Sequence, residues 1–375
     1  MWTTKKQLKL LMVKRILLLA FLITFGIIVV SIFATNPQKR VGSPVTEEFK
    51  RKEPILIRGS IPYWDQDKAS ASFSGNVSKF NYVSLYWYYL GADGQIKKYR
   101  ASREDKNIIK FAHDNNIKVS AIITNNLDDE GLGWNSKRVE ENIKDSNARE
   151  KHSENIKNLL IEKNFDGVII DYELVRADQK ENFTKFMEEL SKKLKPENKL
   201  ITVSLHPKTG NSINGEEIGR FQDWKELAKY ADQLSIMSFG EHEDEGEPGP
   251  ISSIPWMESI IGYVQSLKIN PEKFFLGIGT FGYKWQTDSD KAAEGLTFEQ
   301  VQKILSDNQI EVNWNETYKS PYFEYEKSGT EYVVWFENAQ SVGEKLNLAD
   351  KKGFGGVNFW RLGGEDPKIW ELIKN

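Results

Sequence analysis

Eight short apolar segments alternate with amphipathic helical patterns along most of this chain. The segments span residues 58–64, 82–90, 118–124, 165–173, 200–206, 233–239, 274–283 and 355–360. Several are almost continuously apolar, which is typical of parallel strands that are buried on both faces. Between them, residues 103–113 and 177–195 repeat apolar side chains at steps of three and four, a helical spacing. The alternation predicts an α/β fold with a parallel sheet.

The number of repeating units points to a closed sheet. Eight units between residue 58 and residue 375 fit a (β/α)8 TIM barrel. The alternative is an open doubly wound sheet, but no strand is followed by the glycine-rich phosphate loop that marks many such sheets. The longest stretch between strands, 284–354, predicts a small β-rich subdomain inserted within about 284–335.

The N-terminal region carries a second strong pattern. Residues 16–34 are 19 uncharged, mostly apolar positions, long enough to span a bilayer, and only basic charges precede them. The positive-inside rule then places residues 1–15 in the cytoplasm, followed by a transmembrane anchor, a linker over 35–57 and an extracytoplasmic barrel at the cell surface. A cleaved signal peptide, which would release a secreted protein, is the alternative; the bulky Ile32 and Phe33 give it a poor cleavage context.

Composition excludes several classes of function. The chain has 51 Lys and Arg against 54 Asp and Glu, and residues 1–40 hold seven of the basic residues and no acid. The remainder is therefore net acidic, which disfavours a nucleic-acid partner. There is no Cys, and the four His residues form no zinc motif. Residues 241–247 hold five acids, and we expect a solvated rim loop there rather than a calcium loop. We expect a monomer without metal or cofactor.

The C-terminal ends of barrel strands, where catalytic groups lie, are rich in aromatic residues here. Aromatic faces stack on sugar rings, and amides and carboxylates bond hydroxyl groups, so this set favours a carbohydrate ligand. For each aromatic residue the alternative is that it only fills space at the barrel mouth. The candidate ligand contacts from these ends include Tyr63, Tyr86, Asn125 and Tyr283.

The fourth segment, FDGVIIDYE, places two carboxylates on one face. Side chains alternate along a strand, so Ile169, Asp171 and Glu173 point the same way. Two close carboxylates cannot both ionise cheaply, so one pKa rises and a protonated acid stands beside an anion. Glycoside hydrolysis uses such a pair at the leaving oxygen. Spacing alone equally allows two structural acids that pair with nearby Lys or Arg.

The same segment resembles the DGxDxDxE signature of glycoside hydrolase family 18, the chitinase-like (β/α)8 enzymes. Other segments resemble the bacterial branch that includes spore-cortex-lytic and LysM-linked N-acetylglucosaminidases. These segments are 201–210, 230–256, 275–285, 333–342 and 355–370. The resemblance covers nearly the whole domain, in the order of its strands.

The resemblance implies hydrolysis of a β-linked polymer that contains N-acetylglucosamine. It favours peptidoglycan or a related envelope glycan over chitin as the substrate. By position, Glu173 matches the family's catalytic acid and Asp171 the carboxylate that orients the substrate's 2-acetamido group. That group is the internal nucleophile, so retaining hydrolysis needs no protein nucleophile. Met237 and Trp360 match residues that line the sugar site, with Trp360 as its floor. Asp166, of opposite parity, is expected to be structural.

Three positions depart from the family pattern. Ile169 replaces the middle Asp of the signature and so removes a hydrogen-bond partner of Asp171. The family's M-x-Y-D motif reads MSFG at 237–240, so Phe239 lacks the hydroxyl that holds the acetamido carbonyl, and Gly240 lacks the neighbouring carboxylate. Phe239 is still expected to contact the substrate, because it lies two residues after Met237 and so points to the same side of the strand. A non-catalytic glycan-binding barrel is the first alternative function, and a membrane-held scaffold is the second.

Overall fold

The computed structural model describes residues 54–210, 219–287 and 289–374. The chain divides into two units, Met1–Glu48 and Phe49–Asn375, and the described residues all belong to the second. The predicted cytoplasmic tail, the predicted anchor and most of the predicted linker lie outside them. Within the described residues, no helix has the length and apolarity that a membrane crossing requires.

Eight parallel strands close into a barrel. The strands of the described residues, in chain order, are β1 (Leu56–Pro62), β2 (Tyr82–Leu90), β3 (Ile96–Lys98), β4 (Lys118–Thr124), β5 (Gly167–Asp171), β6 (Leu200–Leu205), β7 (Gln233–Ile236), β8 (Phe274–Gly279), β9 (Gly282–Gln286), β10 (Glu294–Leu296), β11 (Asn313–Asn315), β12 (Ser320–Lys327), β13 (Thr330–Phe336) and β14 (Gly356–Trp360). Neighbours around the barrel follow the order β1, β2, β4, β5, β6, β7, β8 and β14, and β14 pairs with β1. The predicted (β/α)8 barrel is therefore confirmed.

Most of the helices of the described residues cover the outside of the barrel, whereas the helix Phe298–Asn308 packs on an inserted sheet. The helices are α1 (Gln66–Gly75), α2 (Lys106–Asp114), α3 (Ser136–Ile143), α4 (Ser146–Glu162), α5 (Lys180–Leu194), α6 (Trp224–Tyr230), α7 (Ile254–Ser266), α8 (Phe298–Asn308), α9 (Ala339–Lys351) and α10 (Ile369–Leu372). The patterns over 103–113 and 177–195 correspond to α2 and α5. Asp105 caps α2 by accepting a hydrogen bond from the amide of Asn107, which explains where this helix begins.

The alternation predicted for the fourth segment is visible in its packing. Val168 and Ile170 of β5 belong to the large core that also contains Phe183 and Phe186 of α5. Ile169 instead belongs to a smaller, aromatic-rich cluster with members such as Tyr86. Because successive residues of a strand face opposite sides, Asp171 points to the same side as Ile169. This parity carries Asp171 toward the barrel interior.

A five-stranded antiparallel sheet lies between β8 and β14, in the order β10, β9, β13, β12, β11. Helix α8 packs against this sheet and begins at a capping box formed by Thr297 and Gln300. The extra strands expected in this part of the chain are present. The sequence pattern differs from the structure at 274–283, which it reads as one strand. The structure splits it, because β8 ends at Gly279 and the chain from Gly282 onward pairs with β13 as β9. Gly282 lies so close to β13 that a Cβ there would be 2.6 Å from the carbonyl oxygen of Trp335.

Candidate active site

A cavity of about 670 Å³ opens where the barrel strands end. It brings together residues from β2, β5, β6, β9 and β14 and from the segment after β7. Of the residues that the sequence singles out, those that line it are Tyr86, Asp171, Glu173, Met237, Phe239, Tyr283 and Trp360. Tyr63 and Asn125 do not line it.

Asp171 is the last residue of β5 and lies in register with Thr124 of β4. Its side chain is only 9% exposed, and this burial raises the pKa of the carboxyl to about 6, against a hydrogen bond from Ser204 that favours the charged form. Its Oδ1 atom has no hydrogen-bond partner among the described residues. Ile169, two residues earlier, offers none. A buried acceptor that borders a cavity is therefore available to a ligand.

Glu173 follows two residues later, just beyond the end of β5. Burial raises the pKa of its carboxyl well above the usual range, and the negative charges of Asp171 and then Glu243 raise it further. Glu173 therefore holds a proton at pH values where an ordinary glutamate has lost it. The pair thus places a protonated carboxyl beside a second acid in one cavity, which is the arrangement that acid catalysis at a glycosidic oxygen uses.

Asn125 holds Glu173 in place from outside the cavity. The Asn125 side chain donates to the carbonyl oxygen of Glu173 at 2.8 Å and accepts from its amide at 2.8 Å. Asn125 is fully buried, so both of its bonds are shielded from water. The sequence suggests a sugar contact here, whereas the structure shows an amide that fixes the backbone of the acid.

The residue between the two acids faces the other way. The hydroxyl of Tyr172 lies 2.6 Å from Nε2 of His152, whose Nδ1 lies 3.2 Å from the carbonyl oxygen of Gly94. Both rings are buried, so this chain of contacts fixes the end of β5 from behind. Asp166, at the opposite end of the strand, lies 2.8 Å from Nε2 of His113 and accepts from the amide of Val119. These bonds fit a structural role for Asp166.

Trp360 ends β14 and forms one wall of the cavity together with other aromatic rings. Its ring centroid lies 5.6 Å from that of Tyr86 and 6.4 Å from that of Phe239, with the Phe239 ring nearly parallel at 12°. Phe239 in turn packs on the backbone of Gly277, where a Cβ would lie 2.7 Å from its Cε1 atom. Glycine at 277 thus lets the Phe239 ring reach this position. The result is an apolar face of the kind that sugar rings stack on.

Tyr63, which the strand pattern predicts as a ligand contact, does not line the main cavity, whereas its neighbour Trp64 borders a second one. The ring of Tyr63 is stacked on that of Tyr99, with the two centroids 4.6 Å apart. Trp64 is 50% exposed and borders a neighbouring cavity of about 260 Å³, which shares Tyr283 and Trp360 with the main one. The strand alternation does not extend to Tyr63, because β1 ends at Pro62 and a 3-10 turn over Tyr63–Asp65 follows.

Two further parts of the lining were not singled out as site residues from the sequence. His206 follows β6, and burial lowers the pKa of its imidazole to about 4, so the ring is neutral near pH 7. Glu243, Asp244 and Glu245 lie in the segment after β7 and border the cavity while remaining exposed to solvent. Among the described residues, no group of three or more His, Asp or Glu is placed to hold a metal ion.

Two known proteins show what this chain is similar to in sequence. The chain is similar to the uncharacterized glycosylase YvbX of Bacillus subtilis, with 24% identity over 313 residues that cover 80% of this chain and 89% of that protein. It is similar to the cortical fragment-lytic enzyme of Bacillus anthracis, with 23% identity over 296 residues that cover 78% of this chain and 67% of that protein.

Solved structures show the same fold. The spore cortex-lytic enzyme SleL of Bacillus cereus matches with a TM-score of 0.78 and 21% identity, over 86% of this chain and 74% of that one. A chitinase of Chromobacterium violaceum matches with a TM-score of 0.78 and 23% identity, over 85% of this chain and 98% of that one. Residues 60–365 match the family described as glycosyl hydrolases family 18. This match spans most of the chain and includes Asp171, Glu173 and most of the barrel around them, so the chain belongs to glycoside hydrolase family 18.

Proposed function

We propose that this glycoside hydrolase cleaves a β-linked glycan that contains N-acetylglucosamine, with peptidoglycan or a related envelope glycan ahead of chitin. One observation carries the proposal: the acid pair of Asp171 and Glu173 borders a cavity walled by Trp360, and Oδ1 of Asp171 has no partner among the described residues. The names of the relatives, which include cortical fragment-lytic enzymes and chitinases, support this class of substrate.

In the first step of the proposed mechanism, Glu173 is the general acid. It donates its proton to the leaving glycosidic oxygen while the bond from that oxygen to C1 of the sugar breaks. The carbonyl oxygen of the substrate's own 2-acetamido group bonds to C1 in its place, which forms an oxazolinium ion. Asp171 accepts a hydrogen bond from the acetamido N–H, a role that suits its unpartnered oxygen.

In the second step, the Glu173 carboxylate is the general base. It removes a proton from water as the water oxygen attacks C1 from the side that the leaving group vacated. The bond between C1 and the acetamido oxygen then breaks, so the acetamido group is restored and Glu173 is protonated again. Two displacements at C1 retain the β configuration of the product.

We also propose that residues 16–34 hold the enzyme at the outer face of a membrane, where an envelope glycan is within reach. Support for this location comes from the apolar run and its basic flank. The barrel begins more than twenty residues after the run, a spacing that leaves room between membrane and catalytic domain.

Digestion of purified peptidoglycan and of N-acetylglucosamine oligomers, with products identified by mass spectrometry, tests the proposal. We expect fragments cut at N-acetylglucosamine, with β-anomers as the first products by proton NMR. The alternative is a barrel that binds glycan without cleaving it, which the loss of a tyrosine hydroxyl at Phe239 favours. Binding of both glycans with no products would support this alternative and contradict the proposed reaction.

A further inference from the structure

Gly240 leaves a space that a later residue fills. A Cβ atom at position 240 would lie 2.8 Å from Oε1 of Glu243, closer than side-chain carbons approach their neighbours. The Glu243 carboxylate therefore occupies space that a side chain at position 240 would take. The carboxylate arrives from the loop rather than from the end of the strand.

The loop that carries Glu243 is held on both sides. At its base, Ser253 donates its hydroxyl to Oε1 of Glu241 at 2.8 Å. From the inserted sheet, the indole N–H of Trp285 donates to the carbonyl oxygen of Gly246 at 3.0 Å. The amide of Ala293 donates to the carbonyl oxygen of Asp244 at 2.7 Å. These bonds fix the backbone on either side of Glu243.

The charge of Glu243 acts on Glu173. Both residues line the main cavity, and Glu243 is the third cause, after burial and Asp171, of the raised pKa of Glu173. None of the described residues that line this cavity is Lys or Arg, so no lining cation cancels the effect. The other titratable side chains that line it come from β2, β6, β9 and the same loop, and they are Tyr86, His206, Tyr283, Asp244 and Glu245.

We propose that Glu243 is a positioning residue that supplies, from the loop, the carboxylate missing at position 240, and that it acts on the reaction through Glu173. The inference rests on the proposed hydrolytic function. It gives a role to glycine at 240, since a Cβ there would displace the end of the flexible Glu243 side chain from this place. It also accounts for the exposed, acidic loop as part of the site rather than as a solvated rim alone.

The test compares Glu243→Gln with wild type on an N-acetylglucosamine oligomer across pH. Gln keeps the shape and removes the charge. We expect kcat to fall about tenfold and the basic limb of the kcat/KM profile to move down by about 0.5 pH unit, a modest shift because Glu243 is partly screened by water. Glu247→Gln removes a charge from the same loop, outside the cavity lining, and serves as the matched control with an unchanged profile.

A double substitution tests directly whether a carboxylate at position 240 can replace that of Glu243. Gly240→Asp alone brings a side chain and a second charge against Glu243, so we expect lower activity and a lower melting temperature. Combined with Glu243→Ala, the same Asp has room and replaces the lost carboxylate, so activity should recover beyond that of Glu243→Ala alone. Absence of recovery in a folded double variant would contradict this replacement.

A measurement without turnover separates this inference from the proposed function. Infrared difference titration isolates the Glu173 carboxyl when each protein is compared with the same protein carrying Glu173→Gln. The two proteins compared in this way are wild type and Glu243→Gln. We expect Glu243→Gln to lower the titration midpoint of Glu173 by about 0.5 pH unit, whether or not the glycan is cleaved. An unchanged midpoint would overturn the inference. Failure of wild type to release products would instead count against the proposed function.

Discussion

At the scale of the residue, the acid is positioned through its backbone. Asn125 makes two bonds of 2.8 Å to the main chain of Glu173, and neither side-chain oxygen of Glu173 takes part. The carboxyl is left free to exchange its proton with a substrate, while its place in the cavity is fixed by a buried amide. Precise placement of this kind matters because small displacements of a catalytic group slow a reaction strongly.

Asn125→Ala tests this placement. We expect kcat to fall about 10- to 100-fold, with a much smaller change in KM, because the substrate surface stays intact while the acid moves. Steady-state kinetics provide the measurement. Asn142→Ala is the control, since Asn142 is also buried and also donates to backbone carbonyls but does not contact Glu173. Equal losses of kcat in both variants would show that Asn125 acts on stability alone.

Phe239→Tyr tests the most consequential departure from the family pattern. The Phe239 ring borders the cavity next to Trp360, so a tyrosine hydroxyl added there should reach the acetamido carbonyl as it attacks C1. A hydrogen bond that strengthens in the transition state raises kcat, and we expect a rise of several-fold. Kinetics on acetylated oligomers and a melting curve measure both effects. An unchanged rate in a stably folded variant would mean that the acetamido group is held elsewhere.

At the scale of the element, β5 is braced from the side opposite the cavity. His152 is fully buried behind Tyr172, and burial lowers the pKa of its imidazole to about 4. In the unfolded chain a histidine titrates near pH 6.5. Between these values the unfolded state binds a proton that the folded state does not bind. The contribution of His152 to stability is therefore complete above about pH 6.5 and is lost as the pH falls toward 4.

We expect His152→Gln to reduce the loss in free energy of unfolding that occurs between pH 7 and pH 5. For the wild type, His152 alone accounts for a loss of roughly 2 kcal/mol between pH 7 and pH 5. Urea unfolding at both pH values measures the difference. Asp171, whose raised pKa of about 6 acts in the opposite direction, is present in both proteins and cancels from the comparison. Parallel profiles for the two proteins would contradict a neutral, buried His152.

Much of the element pattern is accessible from the sequence. Each of the eight apolar segments contains a barrel strand, since parallel strands buried on both faces need continuous apolar runs. Asp171 and Glu173 follow from strand parity. What escapes includes two irregular local segments, the 3-10 turn over Tyr63–Asp65 and the loop that brings Glu243 over Gly240. The split before Gly282 escapes as well, because it depends on pairing with β13, which is remote in sequence. Periodicity carries no information on such contacts.

At the scale of the whole molecule, the anchor stays a prediction, because residues 16–34 lie outside the described part of the chain. We expect the full-length protein to sediment with membranes and to keep its original N-terminus. Carbonate extraction followed by N-terminal sequencing measures both. A mature protein that begins near Thr35 would support a signal peptide and remove the anchor from the account.

In the proposed mechanism, Glu173 is both the acid and the base of hydrolysis. Glu173→Gln preserves the shape of the side chain and removes the proton that it transfers. We expect kcat on N-acetylglucosamine oligomers to fall by at least about 10³, while oligomer affinity by calorimetry stays close to that of wild type. A variant that hydrolyses the oligomers at the wild-type rate would contradict the assignment and, with it, the proposed mechanism.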